Sequence, residues 1–238
     1  MQGSAKRKNG PLLIDVRDIV YFLDACVGLR RLGLFPDGQG DALRGWMGDF
    51  YEWLISLPRA LAERNAANNL ATNYFLIRLA LARFLSDFGG VVETFTGAMD
   101  LLGSQLLEDG SLVHEVSRRQ SLHYATFTLQ LSCNFLPLAH SSGMDTTTVS
   151  HGGMRSLTGA ITRHIQLYDE GWPIPSVGTV GAARIAVLRH HLLALQGEAL
   201  GRVEIDAAVL GALEPHSAVP PGWARGALFT KLGDSLVV

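Results

Sequence analysis

Two short stretches of this chain gather side chains able to hold an anion and hand over a proton: NNLATNY (68–74) and SRRQSLHYATFT (117–128). Placed on a helix, Asn65, Asn69, Thr72 and Asn73 fall on one face, because they recur at intervals of three and four. Ser117, Gln120, Ser121, Tyr124 and Thr128 share a face in the same way, with Arg119 and His123 about 100° round from it. Both segments are otherwise apolar nearly all round, so each helix is expected to be surrounded by protein. Their amides must then be satisfied by other buried groups or line a cavity. Capping by Asn68 or Asn69 accounts well for one amide and poorly for three. A tyrosine in such a stripe is more often a core aromatic with a satisfied hydroxyl than an acid, so both readings of Tyr124 stand at this point.

Other constellations are weaker. His190 and His191 are adjacent and point about 100° apart on a helix, and there is no HExxH pattern or Cys/His cluster, so no metal is expected. GTVGAAR (178–184) lacks the Gly-x-Gly and the preceding strand of a phosphate loop. SHGGM is no nucleophile elbow, so nucleophilic hydrolysis has nothing to rest on. Asp109-Gly110-Ser111 reads as a tight turn.

The elements that must position these groups are helices. Periodicity and Gly/Pro punctuation place them at 14–32, 41–57, from Ala60 or Asn68 to Ser86, 91–107, 117–140, 154–169 and 178–196, with Pro137 expected to kink the fifth. SSGMDTTTVSHGG and GWPIPSVG read as connections, the first as a mobile loop. The class is all-α, a bundle or α/α toroid of antiparallel helix pairs. Residues 1–11 are expected to be a flexible tail, 12–213 the helical domain, and 214–238 an irregular, Pro- and Gly-rich tail.

Composition bounds the partners. The chain has 238 residues, 47% of them apolar and only 18% charged, with a net charge of −2. That balance excludes a general nucleic-acid surface or a basic membrane face. No apolar run reaches the about 20 residues of a membrane span. Cys26 and Cys133 sit in apolar helical runs and read as buried, reduced thiols. MQGSAKRKNG has no apolar segment after it, so no signal peptide is expected in this chain.

Taken together, WMGDFYEWL (46–54), NNLATNYFL (68–76) and EDGSLVHEVSRRQSLHYATFTL (108–129) resemble the alginate lyase family of polysaccharide lyases, an all-helical α/α toroid. That family carries an aromatic W-F-x-x-Y-x-x-W-L helix, then N-N-H-G-T-W-Y, then D-G-S-x-x-x-E-x-x-R followed by S-L-H-Y-S-x-F. The resemblance implies β-elimination across C4–C5 of a uronate in an acidic polysaccharide, with no cofactor and no metal. An Asn and an Arg neutralise the uronate carboxylate so that the C5 proton can leave, and a His and a Tyr share the proton transfers.

Carried over by position, Asn69 is the carboxylate-binding amide and Tyr124 the acid, serving also as base in a syn elimination. Arg118 or Arg119 is the cation, since a one-residue shift of register decides between them, and His123 supports the site. Asn73 and Gln120 fall on the substrate-binding side, with Trp46, Tyr51 and Trp53 either a sugar-stacking wall or a core helix. The sequence departs from the pattern at Leu70, where the family has its catalytic His, at Ala71 for Gly and at Asn73 for Trp. An aliphatic side chain accepts no proton, and losing a general base costs about 10²–10⁴ in rate. The resemblance therefore implies either a lyase relying on Tyr124 or an impaired member that binds a glycan or a protein partner. Family toroids also have more helices before the aromatic one, and members are commonly periplasmic or secreted.

Overall fold

The Gly and Pro punctuation becomes helix ends in a computed structural model of the protein, which describes residues 13–35, 38–144 and 151–195. After a 3-10 turn at Ile14–Val16, α1 (Ile19–Arg31) stops before Gly33, and α2 (Gln39–Ser56) starts after Gly38; both glycines have positive φ. Leu57, held extended by the proline after it, separates α2 from α3 (Pro58–Arg64), where Pro58 occupies the first turn that suits it. α4 (Asn69–Leu85) and α5 (Phe88–Gln105) follow, then α6 (Val113–Val116), α7 (Ser121–Ser132), α8 (Phe135–His140), α9 (His151–Asp169) and α10 (Ala182–Leu195). Among the described residues there are no strands, only isolated bridges at Leu106–Leu112 and Gln120–Ser176.

α4 is the axis of the molecule. Every residue from Ala71 to Phe84 is buried, and α1, α2, α3, α5, α7 and α8 all pack on it. Only Ser86 and Asp87 separate α4 from α5, so α5 must run back along it. The two charges buried in α4 are neutralised: Arg83 by Asp24 of α1 at 2.7 Å, and Arg78 by Glu93 of α5 at 3.0 and 2.7 Å. A Cβ on Gly97 would come within 2.8 Å of the Phe75 ring, so the missing side chain is what lets α5 approach α4.

Several expected boundaries shift for local reasons. The third helix is two, because Pro58 starts one and Asn68 caps the next. α5 begins at Phe88 rather than 91, since the Asp87 side chain accepts from Gly90 N at 2.9 Å. The fifth helix is broken at Cys133–Asn134, four residues before Pro137, whose ring excludes the Cys133 carbonyl from the helical ladder. Ser117 and Gln120 precede α7, so they do not share its face with Tyr124 and Thr128. The last helix starts at Ala182 rather than 178, and the three final residues of SSGMDTTTVSHGG belong to α9. Residues 145–150 of that connection, the tail from 214, and residues 1–11 lie outside the described residues. Cys26 and Cys133 are buried free thiols. Among the described residues no helix is long and apolar enough to cross a membrane.

Candidate functional site

The site forms where α4 begins. The Asn68 side chain caps that helix by accepting from Leu70 N at 3.0 Å, which leaves Asn69 as its first residue, buried, with its own N–H needing a partner. A buried carboxylate from α6 supplies it: Glu115 Oε1 accepts from Asn69 N at 2.6 Å and from Thr128 Oγ1 of α7 at 3.1 Å. An anion at a helix N-terminus is favoured by the helix dipole as well as by the bond itself. Glu115 thus ties three elements to one point.

Arg118 completes the cluster. Its Nη1 donates to Asn69 Oδ1 at 2.7 Å and to Glu115 Oε2 at 3.2 Å. Its guanidinium carbon lies 3.3 Å from the centre of the Tyr124 ring. Asn69, Arg118 and Tyr124 therefore stand together, and Arg118 rather than Arg119 bonds to the amide. With its Oδ1 taken, Asn69 offers the Nδ2 amide as a donor.

A cavity of about 520 Å³ opens beside this cluster, lined by Arg118, Arg119, Gln120, Tyr124 and Val177. One wall is the GWPIPSVG connection, strapped to the start of α7. Val177 N donates to Arg119 O at 2.8 Å, Ser121 Oγ to Pro175 O at 2.9 Å, and Trp172 Nε1 to Ser121 Oγ at 3.0 Å. Gln120 and Arg119 are exposed in the cavity wall.

His123 stands on the adjacent face of α7, its ring edge-on to Tyr124 at 5.2 Å and stacked on Phe127 at 6.4 Å. Its Nδ1 lies 3.3 Å from Arg184 Nη1 of α10. Burial lowers its pKa below the ordinary value, and the charges of Arg184 and Arg118 lower it further.

Other sequence candidates lie elsewhere. Asn73 is wholly buried and both its side-chain polar atoms lack a hydrogen-bond partner within the protein, so it is not open to a ligand in the cleft. Tyr51 is buried and donates to Asp87 Oδ2 at 3.5 Å, at the far end of α4. Trp46 and Trp53 stack on either side of Phe50 along α2. None of the three lines the cavity beside Tyr124, because the α2 face that carries Tyr51 packs on α4. Leu70, where the family pattern has its histidine, is half-buried next to Asn69.

The residues that sequence reasoning missed are Glu115, Thr128 as its partner, Arg184 with Gln130, and the Trp172–Val177 strap. Glu115 had a signal, since it fills the acidic position of the D-G-S-x-x-x-E-x-x-R pattern three residues before Arg118, but a carboxylate at that spacing ordinarily reads as a solvated pair. The DGS turn is structural: Asp109 accepts from Ser111 N and Oγ at 2.9 and 3.0 Å, and Gly110, with φ +82, lies against the backbone of Ala160.

A second cavity, of about 610 Å³, sits at the opposite end of α4 between α1, α5 and α8. Its arginines are engaged there, Arg83 with Asp24, Arg31 with Ser141 O and Arg30 with Phe84 O. Among the described residues no three His, Cys, Asp or Glu stand together as metal ligands, and the His190 and His191 rings are 6.2 Å apart with His191 buried.

A crystal structure of an alginate lyase from Bacteroides ovatus superposes with a TM-score of 0.70 at 19% identity, covering 91% of this chain and 56% of that one. The chain thus spans little more than half the length of that relative, and it shares its α/α-toroid fold. No curated protein sequence matches the chain. The family model for alginate lyases, however, matches residues 3–172, which take in α1 to α9 and the whole Asn69–Glu115–Arg118–Tyr124 cluster. On that match, the chain belongs to the alginate lyase family.

Proposed function

We propose that this polysaccharide-lyase-like protein cleaves a uronate-containing acidic polysaccharide by β-elimination at the cavity beside the Asn69–Arg118–Tyr124 cluster. The observation that carries the reading is Arg118, bonded to Asn69 Oδ1 at 2.7 Å while its charge lies over the Tyr124 ring. Asn69 Nδ2 and the Arg118 guanidinium are a donor pair suited to a carboxylate, whose negative charge must be balanced before C5 gives up its proton. Tyr124, as phenolate, takes that proton; the C5–H electron pair forms the C4–C5 double bond, the C4–O4 bond breaks, and the phenol returns the proton to O4. One residue on one face of the sugar ring suffices for this sequence, which fits the absence of an imidazole at Leu70. Arg119 and Gln120 bind the neighbouring sugar units from the cavity rim.

The test follows the ultraviolet absorbance of the unsaturated product on a panel of polyuronates. Wild type should form product, Tyr124→Phe should lose at least about 10²-fold in rate, and Leu70→His should raise it. Undiminished cleavage by Tyr124→Phe would refute the assignment.

Leu70 itself favours a second reading, an impaired member that holds glycan without cutting it. Binding of uronate oligomers to wild type without product, with cleavage appearing in Leu70→His, would select this reading over the first.

A further inference from the structure

We propose that Arg184, on α10 and beyond the stretch matched by the family model, is a positioning residue that fixes His123 as the neutral tautomer carrying its hydrogen on Nε2. His123 is then a hydrogen-bond donor to the bound sugar acid and not the base of the reaction. The donor role rests on the uronate reading above; the tautomer does not.

A guanidinium has five N–H donors and no acceptor, so at 3.3 Å from Arg184 Nη1 the His123 Nδ1 must present its lone pair. A neutral imidazole with a lone pair on Nδ1 carries its hydrogen on Nε2. With Nδ1 turned to α10, Nε2 lies on the other side of the ring, and His123 is exposed next to Tyr124, which lines the cavity.

Arg184 is itself held rigidly. Its Nε and Nη2 both donate to Gln130 Oε1, at 3.1 and 2.7 Å, and Gln130 Nε2 returns a bond to Arg184 O at 3.1 Å. Gln130 is buried and lies seven residues after His123 on α7, so the two project from the same side of the helix. The amide is therefore a clamp that aims the guanidinium at His123.

The charged and titratable groups facing His123 are Arg184 from α10, Arg118 from the α6–α7 connection, and Tyr124 from its own helix. Both charges are cationic. A second proton on Nδ1 would break the Arg184 bond and place an imidazolium between two guanidiniums, which agrees with the lowered pKa of this histidine. A base at this position would need its lone pair on Nε2, which the Arg184 contact does not leave there.

The experiment is nitrogen-15 NMR of the histidine rings in the intact protein, with His123→Gln identifying the His123 signal. Wild type should have the Nε2–H form, titrating below the ordinary histidine value. Arg184→Met should mix the tautomers and raise the midpoint, and Arg184→Lys, which still has a donor, should restore much of the wild-type behaviour. In turnover, His123→Gln keeps an N–H near the Nε2 position and should retain most of kcat/KM. His123→Ala and Arg184→Met should lose roughly tenfold, mainly through KM, the weight of one hydrogen bond. An Nδ1–H tautomer for His123 in wild type would overturn the proposal. So would a signal unchanged in Arg184→Met, or His123→Gln as inactive as His123→Ala. If wild type forms no product on any polyuronate, the lyase reading falls, the donor role is read from the affinity of the same variants for uronate oligomers, and the tautomer data still decide what Arg184 does.

Discussion

Replacing Glu115 with glutamine tests whether the cleft is organised by a buried carboxylate. The glutamine oxygen can keep the bonds from Asn69 N and Thr128 Oγ1, but its amide nitrogen must then face Arg118 Nη1, which was 3.2 Å from Oε2. Two donors now oppose each other, and a charge-assisted bond worth about 1.5–3 kcal/mol is lost. The Arg118 side chain is 32% exposed, so water restores part of that. The net cost of Glu115→Gln should be about 1–2 kcal/mol. Glu115→Ala additionally orphans the buried Asn69 N–H, for a total of about 3–4 kcal/mol. Urea denaturation reads both as a fall in midpoint at unchanged m-value. Calorimetric titration with a uronate oligomer should find the glutamine variant at least roughly tenfold weaker, because Arg118 has lost the acceptor that held it beside Asn69. A glutamine variant within about 0.5 kcal/mol of wild type and binding equally well would refute the reasoning, since that is the spread expected of an ordinary surface change.

Acid should unfold the protein through two other histidines. Desolvation pushes the pKa values of His164 and His191 down from 6.5 to about 4, so below 6.5 only the unfolded chain takes up their protons and stability falls with pH. Between about pH 7 and 5 the two together should remove about 3–4 kcal/mol, seen as a drop in urea midpoint; a midpoint that stays put refutes this. Asp24→Ala strands the Arg83 guanidinium, whose side chain is 5% exposed, and should cost about 3–5 kcal/mol in the same assay. The double change Asp24→Leu with Arg83→Met should recover much of that loss, and a single variant as stable as wild type would show the pair to be dispensable.

The helices were legible because their signals are local. Periodic apolar residues, Gly33 and Pro58 mark where helical geometry is favoured and where it fails, whatever surrounds them. Pairing across the fold left no such mark. Residues 117–120 leave helical geometry, so face arguments carried through them misplace Ser117 and Gln120, and only the E-x-x-R spacing from Glu115 favours Arg118 over Arg119. Glu115 looks like a surface acid in a short polar turn until Asn69 N and Thr128 close over it. Tyr51 has the spacing of a wall residue, but α2 turns that face onto α4, and Asn73 shares a helical face with Asn69 yet lies one turn deeper. The strap from Trp172 to Val177 reaches α7 across some fifty residues through backbone and side-chain bonds that no periodicity announces.

Glu115 draws its shortest bond from the main-chain amide of residue 69 and not from a side chain. Every amino acid but proline brings that amide, so the seat of Glu115, one of the two acceptors of Arg118, tolerates drift in its surroundings. The proton-transfer groups have no such insurance, because a phenol or an imidazole is lost outright by one substitution. Under the proposed function, gripping an acidic sugar and cutting it are thus unequally robust in this scaffold. With leucine at position 70, the chain still has the Arg118 guanidinium in place beside the cavity, whatever becomes of the proton-transfer groups.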